Sequence, residues 1–210
     1  MKQIVFLIEG GRSRSHDINF RKAFHLFFLE IDEFAKNRGI GWRPILEGTR
    51  RKVYERFIDL FKKEPDTFYV LLVDSEDAVR DGVVNWTHLQ ERTADQWQRP
   101  GGVLDEQCQL MVQAMEAWFF ADPDALEAYY KQGFNRNALS KRRNVEEIPK
   151  GDHIRQLEEA TKNTQKGRYH KFNHAPDLLM LLDVQKVRER APHCDRIFVE
   201  IRQLIEAAGH

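Results

Sequence analysis

The sequence predicts an α/β fold: a mainly parallel sheet with helices on both faces and a helical C-terminal portion. Two short apolar runs, at 4–8 and 68–73, have the length and branching of buried strands. Segments with helical periodicity separate them, so that strand and helix alternate through the first half of the chain. Such alternation favours right-handed crossovers between parallel strands.

The elements of the first half follow from residue spacing and from capping residues. After the first strand and a polar loop, apolar side chains at helical intervals predict a helix over 20–34. A Pro-interrupted stretch at 41–47 predicts a weak second strand at an edge of the sheet. Thr49 is placed to cap the next helix, which Pro65 stops before the second apolar run begins.

The second half is predicted to be mostly helical. A fourth strand at 107–112 follows the chain break at 99–102, and 115–120 is predicted to be helical. Asp122 and Pro123 then restart a helix, as its N-cap and its first residue. Further helical patterns follow at 152–163, 175–190 and 193–208.

Composition and charge bound the class of protein. The 210 residues include 33 basic and 33 acidic side chains, which argues against a globally basic, histone-like binder. We expect a metal-binding α/β domain at 1–122 and a helical extension at 123–210, packed together as one unit. Two cysteines provide neither a disulfide framework nor a Cys-based zinc site. With no signal-like or membrane-spanning run, a cytoplasmic protein without membrane contact is expected.

Acidic residues follow both apolar runs. Glu9 closes the first run before two glycines, and Asp74 closes the second in the sequence Asp-Ser-Glu-Asp. Parallel sheets bind ligands at the carboxyl ends of their strands. Carboxylates that converge there repel one another unless a cation lies between them, and oxygen ligands favour Mg²⁺ or Mn²⁺. The sequence therefore predicts a divalent-metal site; the other interpretation is that these acids are helix caps and solvated loop charges.

These acidic motifs resemble those of the Toprim (topoisomerase–primase) superfamily, whose domains carry Glu-Gly after the first strand and Asp-x-Asp after a later one. Asp74 and Glu76 match the second motif with Glu in place of the second Asp, and Asp77 is the alternative partner. The chain is most similar to small stand-alone Toprim-like proteins of bacterial genomes, related to the OLD-type nucleases of phage defence. The segments that carry this resemblance are 8–11, 73–77, 115–119, 134–137, 144–149 and 193–196.

The resemblance implies metal-dependent phosphodiester hydrolysis, in which metals roughly 4 Å apart neutralise the scissile phosphate and activate water. It makes Glu9 the general acid/base and Asp74 with Glu76 or Asp77 the ligands of Mg²⁺ or Mn²⁺. Glu116 fits a further acidic position that such nucleases carry on a helix after a later strand, and it is a candidate ligand of the same metal. The resemblance also implies an effector that works beside an SMC-like or ABC-like ATPase in defence against phage.

Basic loops supply candidate contacts to nucleic acid. In the polar stretch 166–171, Lys171 and His170 are candidates for stabilising the leaving oxygen or the transition-state charge. Tyr169 or a nearby Trp is a candidate for stacking on a base. Each run taken alone is also compatible with a solvated surface. The positions predicted to contact the phosphate backbone are Gly10, Gly11, Arg12, Arg14, Arg142, Arg143 and Arg168.

Two classes of function stay open at this stage. The first is a Mg²⁺- or Mn²⁺-dependent nuclease that acts on DNA or RNA. The second is a non-catalytic subunit that binds or senses nucleic acid for an ATPase partner, which Glu76 in place of Asp keeps open. A regulatory receiver-like domain fits poorly, because of the large helical tail and the Glu-Gly-Gly loop. The oligomeric state is open, a homo-oligomer included.

Overall fold

Four parallel strands form the sheet in a computed structural model that describes residues 1–10 and 14–208, with 14–16 described by their backbone alone. The order across the sheet is β2-β1-β3-β4, and each pairing is parallel. The predicted α/β fold is therefore confirmed, and the Pro-interrupted strand β2 lies at an edge as expected. In chain order the strands are β1 (Gln3–Glu9), β2 (Gly41–Glu47), β3 (Thr67–Asp74) and β4 (Cys108–Met111).

Helices surround the sheet and make up most of the second half of the chain. Among the described residues, no helix is both long and apolar enough to cross a membrane. The α-helices are α1 (Arg14–Phe27), α2 (Leu29–Lys36), α3 (Arg50–Lys63), α4 (Asn85–Glu91), α5 (Pro123–Tyr130), α6 (Lys150–Thr161), α7 (Lys171–Leu181), α8 (Val184–Arg190) and α9 (Pro192–Ala208). Short 3₁₀ helices lie at Asp105–Gln107, Met115–Ala121, Arg136–Ala138 and Val145–Glu147.

The side chains of β1 enter a hydrophobic core on each face of the sheet. Ile4, Phe6 and Ile8 pack in one core with side chains of α1, α2 and α9. Val5 and Leu7 alternate with them and pack in a second core with side chains of α3 and α4. Because successive side chains of a strand point to opposite faces, a wholly apolar strand requires helices on both faces. The structure confirms this arrangement.

The helical C-terminal portion shares the first of these cores with β1. Leu126, Leu157 and Ile197 belong to the same cluster of buried side chains as the residues of β1. Trp118, which is fully buried, stacks on Phe27 of α1 with ring centroids 4.7 Å apart. The boundary at residue 122 stays a prediction, because residues on both sides of it contribute to one core.

Three predicted helical segments differ from the observed ones. The pattern at 20–34 is broken at Phe28, so that α2 packs against both β2 and α9. The pattern at 175–190 is interrupted because Asp183 caps a new helix, its side chain accepting from the backbone N–H groups of the next turn. The segment Met115–Ala121 is a 3₁₀ helix and is buried on every side.

The topology of the sheet has a switch point between β1 and β3. The chain passes from β1 to β2 over one face through α1 and α2, and from β2 to β3 over the other face through α3. Strand order therefore reverses between β1 and β3. In open α/β sheets the ligand crevice lies at this point, outside the carboxyl ends of the strands. The residues that end these two strands are Glu9 and Asp74.

Candidate active site

A cavity of about 330 Å³ lies at the switch point, and both strand-end acids line it. Strand register pairs Ile8 with Leu72, so β1 and β3 end almost level with each other. Glu9, Asp74 and Lys171 are among the residues that line the cavity. Sheet topology therefore brings together two acids that are 65 residues apart in the chain, as the sequence analysis expects.

Asp74 is buried, and its two carboxylate oxygens face different groups. Oδ1 accepts a hydrogen bond from the backbone N–H of Met115 at 2.9 Å. Oδ2 faces the ammonium groups of Lys150, at 3.7 Å, and Lys171, at 3.9 Å. The first contact fixes the orientation of the side chain, and the second leaves one oxygen directed towards positive charge.

Glu116 is buried beneath Lys171 and holds it in place. The Lys171 Nζ lies 3.1 Å from Glu116 Oε1 and 3.3 Å from Oε2. The hydroxyl of Tyr169 donates to Glu116 Oε1 at 3.2 Å. Burial alone would lower the pKa of Lys171, but the negative charges of Glu116 and Asp74 outweigh it and raise the pKa. Lys171 is therefore a permanent cation at the cavity.

Glu76, rather than Asp77, shares a cationic partner with Asp74. Lys150 pairs with the Glu76 carboxylate and also faces Asp74. The Asp77 carboxylate pairs instead with Arg92, and its side chain is 71% exposed. Glu76 has a positive φ of 69°, a conformation that non-glycine residues adopt rarely and that is frequent at functional sites. Of the two candidates for a second metal ligand beside Asp74, Glu76 is therefore the better placed.

Glu9 is oriented by Arg50 and stands in a negative field. Arg50 Nη1 donates to Glu9 Oε2 at 3.0 Å, and its Nε and Nη2 atoms bind both oxygens of Asp95 at 2.8 Å. Burial raises the pKa of Glu9, the neighbouring Asp74 carboxylate raises it further, and Arg50 opposes both effects. A carboxyl with a raised pKa is suited to exchange a proton nearer to neutral pH.

The raised pKa of Glu9 predicts a pH-dependent cost to the fold. The folded state binds the proton of Glu9 more tightly than the unfolded state does. The contribution of Glu9 to the free energy of unfolding is therefore fully present below the ordinary pKa of 4.5 and is lost as pH rises through the folded pKa. Glu9→Gln removes this dependence, and without metal the variant should gain stability relative to wild type as pH rises. Free energies of unfolding of both proteins between about pH 4 and pH 8 test it. A constant difference across that range would contradict it.

Lysines lie between the carboxylates of this site. Within residues 1–10 and 14–208, no group of three or more His, Cys, Asp or Glu side chains is arranged to hold a metal ion. Instead, Lys150 lies between Asp74 and Glu76, and Lys171 lies between Asp74 and Glu116. The chain's own cations thus offset the repulsion among the acids, and the divalent-metal site stays a prediction.

Comparison with known proteins assigns the chain to a family. Residues 23–202 match the family described as "Domain of unknown function (DUF4276)". The chain belongs to this family. The search of curated proteins and the search of solved structures gave no match. The DUF4276 span contains Asp74, Glu76 and Glu116, whereas Glu9 precedes it.

Two cations of this DUF4276 site are not among the predicted site residues. Arg50 and Lys150, like Lys171, are each the first residue of a helix, in α3, α6 and α7. A helix N-terminus favours negative charge, so a basic first residue opposes the helix dipole. A basic residue directly after an N-cap occurs at both Thr49 and Pro149, and this unusual pattern is visible in the sequence. These cations take their favourable interactions from the carboxylates of the site instead.

The glycine-rich loop after β1 is described only in part. Gly10 lines the cavity, and its φ of 142° is one that side-chain-bearing residues rarely adopt. Its backbone N–H donates to Glu47 at the end of β2. Gly11 and Arg12 lie outside the described residues. Arg14 begins α1, but its side chain also lies outside the described part, so these predicted phosphate contacts stay predictions.

His170 lies beside the site without facing its acids. It is the N-cap residue of α7 and is exposed, and its ring packs against Phe172 with centroids 6.1 Å apart. Its backbone N–H donates to His174 Nδ1 at 3.1 Å. Lys171, the next residue, is the one that reaches Asp74. The catalytic role of His170 stays a prediction.

The other predicted phosphate contacts are exposed side chains, and among the described residues none is paired with an acid of the site. Arg142 pairs with Glu147 at 3.2 Å, and both side chains are exposed. Arg143 is exposed nearby, and Arg168 is exposed close to Glu159 of α6. Their role in binding nucleic acid stays a prediction that the ion pairs neither require nor exclude.

Proposed function

We propose that this protein is a divalent-metal-dependent nuclease of the Toprim type. One observation carries the proposal: Glu9 and Asp74 end the strands that flank the switch point, and they line one cavity together with Lys171. Such a crevice is where ligands of open α/β sheets bind. Two carboxylates and a permanent cation in one concave site are groups that phosphodiester hydrolysis requires.

The donor set at the cavity fits a single Mg²⁺ or Mn²⁺ ion. Mg²⁺ is usually held by one or two carboxylates and keeps several waters. Asp74 Oδ2 and Glu76 would supply two carboxylates, and the charge of Glu9 beside them would add to the attraction for a cation. Burial and repulsion from Asp74 raise the pKa of Glu9, and a cation at the pair would relieve both effects. Such an ion would neutralise the scissile phosphate and activate water.

The protein's own residues would assist hydrolysis in distinct ways. A water oxygen bonds to phosphorus and gives a proton to Glu9, the bond to the leaving oxygen breaks, and the leaving oxygen takes a proton from solvent. Glu9 exchanges a proton through the oxygen that Arg50 does not bind. Lys171, held by Glu116, stabilises the charge that develops on the phosphoryl group. Tyr169 fixes Glu116 and so acts on Lys171 indirectly.

The cellular setting follows from the resemblance to Toprim proteins. The proposal is a cytoplasmic effector that acts on DNA or RNA beside an SMC-type or ABC-type ATPase in a bacterial defence system. The phosphates of the nucleic acid would then bind the lysines that now pair with the acids of the site. Purification of the chain with its genomic neighbours tests the ATPase partner directly.

A second candidate is a non-catalytic subunit that binds or senses nucleic acid. One observation favours it: Asp74, Glu76 and Glu116 each pair with a lysine of the chain itself. Acids that are already neutralised have less need of a metal. On this account phosphate groups would bind Lys150 and Lys171 without being hydrolysed, and affinity would fall with salt.

Hydrolysis of labelled oligonucleotides separates the two candidates. In Mg²⁺ or Mn²⁺, wild type should cut, and Asp74→Asn should lower the rate by at least about 100-fold, because it removes a charged group at the reacting phosphate. Asp66→Asn is the matched control: Asp66 precedes β3 at its opposite end and pairs with Lys2 on the surface at 3.1 Å. Equal rates in all three proteins would contradict the nuclease, and salt-sensitive binding without cleavage would favour the second candidate.

A further inference from the structure

The cavity at the switch point is lined by apolar side chains as well as by charged ones. Phe20 and Phe24 of α1 line it, and they stack on each other with centroids 6.4 Å apart. Phe172 of α7 and the side chains of Met111 and Met115 complete the apolar part. Hydrolysis of a phosphate at the acids needs none of these side chains. They belong to the main hydrophobic core or pack against it, and where they also line the cavity they suit a ligand with a flat apolar part.

The same cavity is also lined by charged groups. Glu9 ends β1 and Asp74 ends β3, and Lys171 begins α7 beside them. Thr49, the cap of α3, also lines the cavity. A ligand that suits this mixed lining carries both an apolar ring system and a phosphate, as a nucleotide does.

The size of the cavity restricts the form of the nucleotide. At about 330 Å³ it is at the small end of ligand pockets, which span roughly 300–1,000 Å³. A cavity of this size is suited to one nucleotide and is too small for two. Aromatic side chains bind bases by stacking without sequence preference, and methionine sulfur also favours contact with aromatic rings.

We infer that the cavity receives the base of one unpaired nucleotide, while the phosphate of that nucleotide lies at Lys171. The inference rests on the proposed function and adds its substrate class: single-stranded nucleic acid, or a strand from which a base is extruded. A duplex presents its bases stacked inside, so extruding one costs free energy that an unpaired strand does not spend. The site should therefore prefer single strands.

Binding of adenosine 5′-monophosphate and ribose 5-phosphate measures the contribution of the base. By calorimetry in Mg²⁺, adenosine 5′-monophosphate should bind at least about 10-fold more tightly, as expected from base–aromatic stacking. Equal affinities would overturn the inference. A short single-stranded oligonucleotide should compete for the site; failure to compete would mean that the ligand is a free nucleotide, and would overturn the strand assignment.

Variants of two neighbouring residues of β2 give a matched control. Leu46 lines the cavity, whereas Ile45 packs against the core on the opposite face of the sheet. Leu46→Trp should fill the cavity and abolish the preference for adenosine 5′-monophosphate over ribose 5-phosphate, and Ile45→Trp should preserve it. Phe172→Ala removes an aromatic ring that lines the same cavity, at the first turn of α7. It should reduce the preference for adenosine 5′-monophosphate over ribose 5-phosphate at least about 5-fold. A preference that persists in both cavity variants would overturn the inference.

Cleavage of matched single-stranded and duplex oligonucleotides separates this inference from the proposed function. Single strands should be cut at least about 10-fold faster, because a duplex must first give up the pairing and stacking of the extruded base. Equal cleavage of both forms would overturn the inference and leave the nuclease standing. If neither form is cut, the proposed function fails. The ratio of the affinities for adenosine 5′-monophosphate and ribose 5-phosphate then still tests whether the cavity binds a base.

Discussion

Lys171→Met is expected to slow metal-dependent hydrolysis by about 100- to 1,000-fold, the effect of removing one preorganised electrostatic group at a reacting centre. The same change should destabilise the fold by about 2–3 kcal/mol, because Glu116 is only 2% exposed and loses its cation. The value is below that of a fully buried pair, since the Lys171 side chain is 40% exposed. Hydrolysis rates and urea denaturation measure the two effects.

A double-mutant cycle separates the structural effect from the catalytic one. Glu116→Gln in the Lys171→Met background removes the unpaired buried charge, so stability should recover by at least about 1 kcal/mol while activity stays lost. Lys162→Met is the matched control, since Lys162, at the C-terminal end of α6, pairs with Glu159 on the surface at 2.6 Å. Equal stability of Lys171→Met and wild type would contradict the role assigned to this pair.

Arg50→Met should destabilise the protein by about 3 kcal/mol, because it leaves two buried or half-buried acids short of a partner. Asp95, 4% exposed at its side chain, keeps only Arg92, and Glu9 loses the donor that orients it. The backbone carbonyl of Asp74 loses a donor as well. Thermal and denaturant unfolding give the free energy, and a weaker response to added Mg²⁺ would show the effect on Glu9.

The next residue along α3 provides the control for this change. Arg51 is 85% exposed at its side chain and pairs with Glu55 one turn later. Surface pairs of this kind contribute about 0.3–0.5 kcal/mol, so Arg51→Met should be nearly silent. Similar losses for Arg50→Met and Arg51→Met would contradict the distinction drawn between the site and the surface.

The parts of the fold that depend on local pattern could be predicted from the sequence. The apolar runs that became β1 and β3 have no polar position, so both faces had to be covered. Parallel pairing then fixed where their last residues meet, and this brought Glu9 and Asp74 to one cavity. These two acids of the candidate site were therefore accessible from strand ends alone.

The basic half of the site depends on contacts that no local pattern specifies. Lys150 meets Glu76 across 74 positions of the chain, and Arg50 meets Asp95 across 45. Asp95 lies in a segment whose only regular pattern is the short helix before it. Basic residues are common on surfaces, and composition cannot distinguish Arg142, which pairs with an exposed Glu147, from a lysine that enters the site. Tertiary packing decides between these positions.

The response of the protein's melting temperature to Mn²⁺ and Mg²⁺ tests the central claim most directly. It is measured for wild type, Glu9→Gln, Asp74→Asn and the control Asp66→Asn. Metal at about a hundred times its dissociation constant should add about 2.7 kcal/mol of stability to wild type and to the control. The account predicts that Glu9→Gln and Asp74→Asn lose this gain. Equal responses in all four proteins would show that the strand-end acids hold no metal.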